Sequence, residues 1–414
     1  MTFSMVTIVG NLGVCLGLLT SIYGFYFVFL AFRGGSIKKK KKEEGIPNTR
    51  FALVVAARNE AAVIGNLITS LQQQNYPKEL YDIYVAPNNC TDDTHEIAIS
   101  HGARIFHPKG EIRSKGNVLT QFVKMCLVEK KYDAICVFDA DNIVHADFLQ
   151  KMNSEKLSGT HIAQGFKNSK NPTGSAIAMG FSVYYWIIDH YFNRSREALG
   201  LSSFILGTGF MVTTSFFEKI GGWNTKTITE DLEFCAQCVL AGERVHYVPD
   251  AIVYDEQPLT FIQSWKQRRR WSTGYFECSR LYRKELIMRM FERRSKAVFD
   301  LTMTYLCPVF FIMSLLASLG QITLMSFHFF AGYAYNGLSM LSTGLSFGLV
   351  LSILLAAYIV YKRNRQTIQG VSGSILSFIL LMVSWIPINI VSIFKKQRTW
   401  ESIEHTQAIH INDI

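Results

Sequence analysis

Two carboxylates one residue apart, Asp139 and Asp141, are the clearest indication of chemistry in this chain. They follow a short apolar run at residues 134–138, which is typical of a buried strand in a parallel sheet. Such close carboxylates repel each other unless a cation lies between them. Hard oxygen ligands suit Mg²⁺ or Mn²⁺ better than Zn²⁺, and Mg²⁺ usually completes its shell with water and substrate phosphates. The pair therefore predicts a metal site for a bound diphosphate, with a plain polar turn as the alternative.

Strands and helices alternate around this pair. Apolar runs predict four strands, at residues 51–57, 82–86, 103–106 and 134–138. Helices are predicted after the first strand, to about residue 74, and over about residues 117–129. This alternation predicts a doubly wound, mostly parallel sheet, in which ligands bind at the carboxyl ends of the strands. Glu60, Asn88 and Lys115 lie at or near those ends, as do Asp139 and Asp141. One pocket is expected to collect all five.

The surplus apolar residues lie at the two ends of the chain. Of 414 residues 49% are hydrophobic, which predicts an integral membrane protein of about two domains. Residues 8–32 are long and apolar enough to span a membrane, and we interpret them as an uncleaved anchor. The lysine run at residues 38–42 then places the following region, to about residue 296, in the cytosol by the positive-inside rule.

The net charge limits the classes of partner, and the cysteine spacing indicates the redox state of the thiols. The net charge of +10 suits an anionic substrate or anionic lipid headgroups, and nucleic acid is not expected because the basic residues cluster beside apolar segments. The 8 cysteines are irregularly spaced, which indicates reduced thiols facing the cytosol. Cys235 and Cys238 have redox or zinc spacing, but no second pair completes a site, so plain packing is favoured.

Seven short segments together resemble glycosyltransferase family 2. Four resemble its nucleotide-sugar half, the GT-A fold, at residues 54–60, 91–94, 115–116 and 139–141. Three resemble motifs of its membrane-embedded synthases, at residues 207–210 (Gly-Thr-Gly-Phe), 229–231 (Thr-Glu-Asp) and 267–271 (Gln-Arg-Arg-Arg-Trp). Their order and spacing agree over about residues 50–285. The chain is similar to cellulose, hyaluronan and chitin synthases, and especially to the small bacterial β-glucan synthases.

The resemblance implies three sets of site residues. Nucleotide-sugar binding is expected at Ala57, Glu60, Asn88, Lys115 and Asp139. Metal binding, of Mg²⁺ or Mn²⁺, is expected at Asp139 and Asp141. Acceptor and diphosphate binding is expected at Gly207, Thr208, Gly209, Gln267, Arg268, Arg270 and Trp271. A guanidinium can bind two diphosphate oxygens at once, and an indole offers a flat face to a sugar ring.

The resemblance also implies the catalytic pair. Asp231 corresponds to the family's base, and Glu230 is expected to orient it or an acceptor hydroxyl. One carboxylate base without a covalent nucleophile implies in-line attack with inversion, so an α-linked donor gives a β-linked product. The alternatives are a helix N-terminal carboxylate for Asp231 and a buried core indole for Trp271.

One position departs from the family pattern. Asn88 stands where the family usually carries an aspartate that helps to hold uridine. We expect altered or weakened nucleotide contact, because an amide still donates and accepts hydrogen bonds. An inactive homologue is the alternative.

The membrane-proximal segments are predicted from their apolar and aromatic residues. Residues 174–199 and 258–283 are expected to form interfacial helices, with core packing as the alternative for the first. Further spans are expected near residues 301–327 and 338–361. The basic clusters at 362–365 and 395–398 both favour the cytosol, so a re-entrant or bent segment at 374–394, helped by Pro387, is predicted. Trp400, His405 and Thr406 resemble a gating segment, with a disordered terminus as the alternative.

These observations predict five regions and one activity. The regions are an anchor (1–33), a basic linker (34–49), a GT-A domain (50–285), a channel-forming membrane region (286–394) and a gating tail (395–414). The predicted activity is inverting, processive polymerisation of a UDP-sugar, with UDP-glucose as the expected donor, and export of the β-linked polysaccharide. The expected location is the plasma membrane, multi-pass, with a cytosolic catalytic domain.

Three rival functions remain open. A non-processive enzyme could glycosylate a ceramide or a diacylglycerol, since some lipid glucosyltransferases share the Gln-x-x-Arg-Trp motif. An N-acetylglucosamine or hyaluronan-type synthase would use another donor, and a non-catalytic channel or scaffold would keep only the fold. The predicted partners are the UDP-sugar, the growing polysaccharide and the bilayer, with export proteins as further candidates.

Overall fold

The computed structural model describes residues 2–35, 37, 43–293, 295–331, 337–365 and 374–394. The predicted lysine flank at 38–42 and the predicted gating residues Trp400, His405 and Thr406 lie outside these residues. Within them, an α/β domain lies between one N-terminal helix and a set of C-terminal helices.

Eight strands form one mixed sheet in the order β3-β2-β1-β4-β7-β6-β8-β5. They are β1 (Phe51–Ala57), β2 (Tyr81–Pro87), β3 (Arg104–Ile105), β4 (Ala134–Asp139), β5 (Ile143–Val144), β6 (Ile162–Ser169), β7 (Phe210–Thr213) and β8 (His246–Asp255). The four strands predicted from the sequence are confirmed, each to within one residue at both ends. β7 runs antiparallel between β4 and β6, while β6 and β8 are parallel.

Central strands are buried on both faces, which explains their continuous apolar sequence. Along β1, Ala52 and Val54 belong to one core cluster, whereas Leu53 and Val55 belong to the other. Because successive side chains of a strand point to opposite faces, each core is built from alternate residues of the same strand. This double burial fixes the register of β1 against β2 and β4, and it brings their carboxyl ends to one edge.

Fourteen α-helices lie in the described part of the chain. Nine belong to the α/β domain, namely α2 (Ile64–Gln72), α3 (Thr94–Ser100), α4 (Lys115–Glu129), α5 (Phe148–Leu157), α6 (Ala176–Ile187), α7 (Arg194–Leu199), α8 (Thr214–Ile220), α9 (Glu230–Leu240) and α10 (Phe261–Arg293). The other five are α1 (Thr2–Gly35), α11 (Lys296–Tyr305), α12 (Cys307–Ala331), α13 (Gly337–Arg363) and α14 (Ser374–Phe394). α10 is continuous past residue 285, where the sequence predicted the catalytic domain to end.

Among the described residues, three helices are long and apolar enough to cross a membrane. These stretches are Ile8–Gly35, Ser342–Arg363 and Leu376–Phe394, and α11 with the first part of α12 forms a fourth candidate that is bent by 46°. α14 is one helix through Pro387, and the bend between α11 and α12 was not predicted, so a re-entrant or bent final segment stays a prediction. A proline can remain inside an apolar helix when neighbouring groups satisfy the freed carbonyl.

Glycines bring α1 into backbone contact with its neighbours. A Cβ placed on Gly13 would lie 2.9 Å from the Cα of Gly320 in α12, and one on Gly24 would lie 2.7 Å from a methyl carbon of Leu349 in α13. Small residues at such positions allow membrane helices to pack closely. The anchor helix is therefore packed tightly against two of the C-terminal helices.

The aromatic segment at 174–199 is helical throughout, with a π-helical turn at Ile188–Asn193 between α6 and α7. Its largest aromatic side chains are buried, including Phe181 (1% exposed) and Trp186 (4% exposed). The Trp186 indole donates a 3.0 Å hydrogen bond to Asn168 Oδ1. Core packing against α13 and α14 thus accounts for these residues, and an interfacial position of this helix stays a prediction.

A buried ion pair ties the α/β domain to α11 and α1. Arg196 in α7 donates to both carboxylate oxygens of Asp300 in α11, over 2.8 and 3.2 Å, and both side chains are at most 2% exposed. The Tyr26 hydroxyl of α1 donates to the same carboxylate over 3.0 Å. Three elements that are distant in sequence therefore meet at one carboxylate.

Asp300→Asn should destabilise the protein strongly, because it leaves the Arg196 guanidinium buried without a counter-charge. Breaking a buried pair in this way costs about 3–5 kcal/mol. The matched control is Glu243→Gln, which removes the partly exposed pair with Lys219 and should cost about 0–1 kcal/mol. Thermal unfolding in detergent would compare the two, and equal melting temperatures would contradict the assignment.

Candidate active site

The candidate site lies where β4, β6 and β8 end. The backbone amide of Asp139 donates to Asn142 Oδ1 and to Thr208 Oγ1, both over 3.0 Å. Thr208 is fully buried and its hydroxyl donates to Asn142 Oδ1. These bonds fix the turn after β4, so the two carboxylates of Asp139 and Asp141 leave the sheet in a defined direction.

Three carboxylates converge at this turn. Asp139, Asp141 and Asp255 each place one oxygen so that all three oxygens lie within 4.8 Å of one another. The Asn142 amide donates to Asp255 over 2.8 Å and to Asp141 over 3.4 Å, which holds the group together. Three hard oxygen donors at this spacing fit one Mg²⁺ or Mn²⁺. The predicted pair thus gains a third member.

Lys115 begins α4, where Ser114 caps the helix by accepting from the Asn117 amide. Its ammonium group donates to Asp139 Oδ1 and, over 2.8 Å, to the Gly207 carbonyl. Burial alone would raise the pKa of Asp139. The cations of Lys115 and Lys167, with a smaller effect of Arg270, outweigh burial and hold that pKa below its usual value. Asp139 is therefore ionised.

A glycine loop separates the metal carboxylates from a second acidic pair. Gly207 and Gly209 have φ values of 82° and 64°, which only glycine adopts without strain. A Cβ on Gly207 would lie 3.5 Å from Asp231 Oδ2 and 4.0 Å from Asp139 Oδ2. The missing side chain thus leaves open space between Asp139 and Asp231.

Glu230 and Asp231 form the first turn of α9. A Cβ on Gly274 would overlap the Thr229 hydroxyl, so the absence of a side chain there lets α10 approach the start of α9. Removal from water and the neighbouring Asp231 charge raise the pKa of Glu230 to about 7. Removal from water also raises the pKa of Asp231, although the Leu232 amide, which donates to it over 2.8 Å, partly offsets this.

The arginines of the motif at residues 267–271 lie on different sides of α10. Arg270 acts electrostatically on Asp139, Glu230 and Asp231, which places its charge at the site. Arg268 is 1% exposed and donates to the Leu381 carbonyl (2.8 Å) and to Ser384 Oγ (2.7 Å) of α14. Two residues turn a helix by about 200°, so the two arginines face opposite sides.

The predicted diphosphate or acceptor contact of Arg268 therefore differs from the structure. Its guanidinium fastens α10 to a candidate membrane span instead. Trp271 packs edge-on against Phe181, with the ring centroids 6.2 Å apart. Gln267 Oε1 is buried without a hydrogen-bond partner among the described residues, so it retains a free acceptor. Binding roles for Gln267 and Trp271 stay predictions.

The loops after β1 and β2 are joined by hydrogen bonds. The Asn88 backbone amide donates to the Ala57 carbonyl over 2.9 Å, and its side-chain amide donates to the carbonyls of Ala57 and Ala86 over 3.1 and 3.3 Å. The Glu60 amide donates to Thr94 Oγ1 over 2.8 Å. Asn88 thus contacts Ala57, and Glu60 is tied to the loop after β2, while nucleotide-sugar binding by these three residues stays a prediction.

Sequence reasoning missed Asp255 and Lys167. Lys167 lies on β6, and its ammonium nitrogen is 2.9 Å from Asp255 Oδ2. Asp255 ends an apolar strand, which is the same signal that identified Asp139. That signal becomes useful only when the pairing of β8 with β6 is known, because Ser169 pairs with Asp255 across the sheet.

A family model described as "Glycosyltransferase like family 2" matches residues 47–274, just over half of the chain. A β-monoglucosyldiacylglycerol synthase from Synechocystis is 28% identical over 290 residues, which cover 67% of this chain and 58% of that protein. A poly-β-1,6-N-acetyl-D-glucosamine synthase from Staphylococcus aureus is 26% identical over 284 residues, which cover 65% of this chain and 66% of that protein. The chain spans little more than half of the length of the first of these relatives.

A mannosyltransferase from Pyrobaculum calidifontis, solved with GDP-Man and Mn²⁺, has a similar structure. Its TM-score is 0.58 at 16% identity, and the match covers 92% of this chain and 99% of that one. This similarity, together with the family match, confirms the predicted GT-A fold.

Glu230→Gln should stabilise the metal-free protein increasingly as the pH rises. A carboxyl whose folded pKa is raised binds more protons in the folded state, so it destabilises the fold above its unfolded pKa. That pKa is 4.5 unfolded and about 7 folded, so the gain in melting temperature should be small near pH 5 and full near pH 8. Glu243→Gln is the control. A gain that does not change with pH would contradict the assignment.

Proposed function

The chain belongs to glycosyltransferase family 2, and from that premise we propose that it moves a sugar from a nucleotide-diphosphate donor to a hydroxyl group with inversion. One observation carries this proposal. Asp231 faces the three metal-binding carboxylates across the open space at Gly207, with a Cβ there 3.5 Å from Asp231 and 4.0 Å from Asp139. A base and a diphosphate site on opposite sides of one gap suit in-line displacement.

The reaction balances with the residues present. The acceptor oxygen forms a bond to the anomeric carbon, its proton passes to Asp231, and the bond from that carbon to the donor phosphate breaks. The diphosphate leaves with the electron pair. Lys115 and Arg270 lie where they offset its charge. When bound at Asp139, Asp141 and Asp255, Mg²⁺ or Mn²⁺ supplies further charge neutralisation there.

Glu230 is suited to a supporting role. With a pKa of about 7, it is partly protonated near neutral pH and can donate a hydrogen bond as well as accept one. In its protonated form this carboxyl can donate a hydrogen bond that orients an acceptor hydroxyl, while Asp231 takes the proton.

Uridine remains the proposed nucleotide. The side-chain nitrogen of Asn88 donates to two backbone carbonyls, which turns the oxygen of the same amide away from them. That oxygen can accept a hydrogen bond from the N–H of a uracil ring, as an aspartate would. Asn88 thus supports a contact without charge, and UDP-glucose remains the proposed donor.

A membrane lipid with a free hydroxyl is the proposed acceptor. The sequence predicted a growing polysaccharide leaving through the chain's own spans. Close glycine packing of α1 against α12 and α13, and the Arg268 contacts to α14, leave those described helix pairs in direct contact. Such contacts favour an acceptor that reaches the site from the bilayer, and the Synechocystis relative is named as a β-monoglucosyldiacylglycerol synthase.

A polysaccharide acceptor is the second candidate. The Staphylococcus aureus relative is named as a synthase of a β-1,6-linked N-acetylglucosamine polymer. Residues 286–394 would then form the export path, as the sequence predicted. In either case we propose a multi-pass membrane protein whose catalytic region, residues 50–285, faces the cytosol.

Asp231→Asn should slow sugar transfer by about 10²-fold or more, because an amide cannot take the acceptor proton. UDP binding should persist, because the amide keeps the shape of the carboxylate. The matched control is Asp250→Asn, which changes an exposed aspartate on β8 and should transfer at the normal rate. Turnover of radiolabelled donor and binding of UDP would be measured on both. Normal transfer by folded Asp231→Asn protein would rule out this base.

The acceptor can be identified from where the label goes. Purified protein in liposomes containing diacylglycerol would receive Mn²⁺ and either radiolabelled UDP-glucose or UDP-N-acetylglucosamine. We expect the label in the organic extract, as a lipid carrying one or two sugars. High-molecular-weight, water-soluble label would instead establish the polymerising function and would overturn the lipid proposal.

A further inference from the structure

Lys167 is a buried cation that no motif above explains. It is 7% exposed, its ammonium nitrogen lies 2.9 Å from Asp255 Oδ2, and it is 5.0 Å from the centroid of the Tyr185 ring. Taking an ammonium group out of water costs several kcal/mol unless a well-placed anion compensates it. Its partner here is one of the three metal-binding carboxylates, so the pair is not independent of the site.

Asp255 already has other partners. The Asn142 amide donates to Oδ1 over 2.8 Å, and the Gln257 amide donates to Oδ2 over 3.2 Å. The same carboxylate contributes an oxygen to the cluster with Asp139 and Asp141. A divalent cation on Asp255 would therefore compete with the Lys167 ammonium group for one carboxylate and would repel it.

A neighbouring lysine shows what a purely structural pair looks like. Lys170 lies further along the same chain segment and is 6% exposed. It is 3.2 Å from Glu256 Oε2 and donates to the Asp141 carbonyl over 2.9 Å. Glu256 is not one of the three clustered carboxylates, so a metal ion would leave the Lys170 pair intact. The Lys167 pair therefore shares its carboxylate with the candidate metal site, whereas the Lys170 pair does not.

The position of Lys167 suits a second partner. Its positive charge acts on Asp139 and on Asp231, which lie on opposite sides of the gap at Gly207. The bond to the leaving diphosphate breaks within this gap. A flexible ammonium group that leaves Asp255 would thus have an anion within reach.

We propose that Lys167 is a further catalytic residue, which neutralises Asp255 in the empty site and binds the leaving diphosphate once a divalent cation occupies Asp255. This inference rests on the proposed sugar transfer. As the bond from the anomeric carbon to the phosphate breaks, the electron pair goes to the diphosphate, and Lys167 donates hydrogen bonds to that added charge. Lys167 stays protonated and forms no covalent bond, while the acceptor proton goes to Asp231.

Lys167→Met separates this role from a structural one. Without nucleotide, Mn²⁺ titrated against the variant and followed by electron paramagnetic resonance should bind about fivefold more tightly, because its competitor is gone. Turnover of the donor should fall by about tenfold or more, with little change in KM, because the lost contact forms as the diphosphate leaves. Tighter metal binding with slower turnover is a combination that structural damage does not produce.

Lys170→Met is the matched control, since it places the same side chain at a neighbouring buried site. It should bind Mn²⁺ no more tightly than the wild type. Mn²⁺ affinity that is unchanged or weaker in Lys167→Met, or turnover equal to that of the wild type, would overturn the proposal.

A second variant covers the case in which Lys167→Met does not fold. Lys167→Gln keeps a hydrogen-bond donor for Asp255 and removes only the positive charge. Its Mn²⁺ affinity should still rise, and its turnover should still be about tenfold lower than that of the wild type, since the ammonium group is absent. Wild-type turnover in this variant would overturn the proposal. If the wild type transfers sugar and Lys167→Met has the same Mn²⁺ affinity and turnover, only this inference is refuted. If the wild type transfers no sugar, the proposed function is refuted.

Discussion

Mutual repulsion among five carboxylates is the constraint on which the rest of this structure depends. Asp139, Asp141 and Asp255 lie on one side of the Gly207 gap, with Glu230 and Asp231 on the other. Left alone they would protonate or move apart. Lys115, Lys167 and Arg270 offset part of their negative charge. The negative charge that remains near Asp139 would attract a divalent cation, which in turn would bind a diphosphate.

The fold supplies what this constraint demands. Strands buried on both faces bring their carboxyl ends to one edge, and β6 and β8 lie side by side so that Lys167 meets Asp255. α10 connects the site to α14, since Arg270 faces the site while Arg268 donates hydrogen bonds to α14. The Arg196 and Asp300 pair ties α7 to α11 and α1. The position of the site relative to these candidate membrane spans therefore depends on a few buried cations.

Local pattern was enough to predict the strands around Asp139 and the metal pair, because a buried strand followed by carboxylates is a short-range signal. Asp255 and Lys167 carry no such signal in combination, since their contact depends on a pairing between strands far apart in sequence. Arg268 shows the converse limit. Its motif was visible, but a motif does not reveal which face of a helix each residue occupies. The bend between α11 and α12 was missed although Pro308 stands next to the break, because only Pro387 was considered as a cause of bending.

The stereochemistry of the product tests inversion by Asp231 most directly. Purified protein in lipid would be given an α-linked UDP-sugar labelled with carbon-13 at the anomeric carbon, and the product would be analysed by nuclear magnetic resonance before any hydrolysis. Direct displacement across the Gly207 gap predicts a β-linked product and no sugar attached to the protein. An α-linked product, or a covalent sugar on any carboxylate of the site, would contradict the role of Asp231 as the base of a single displacement.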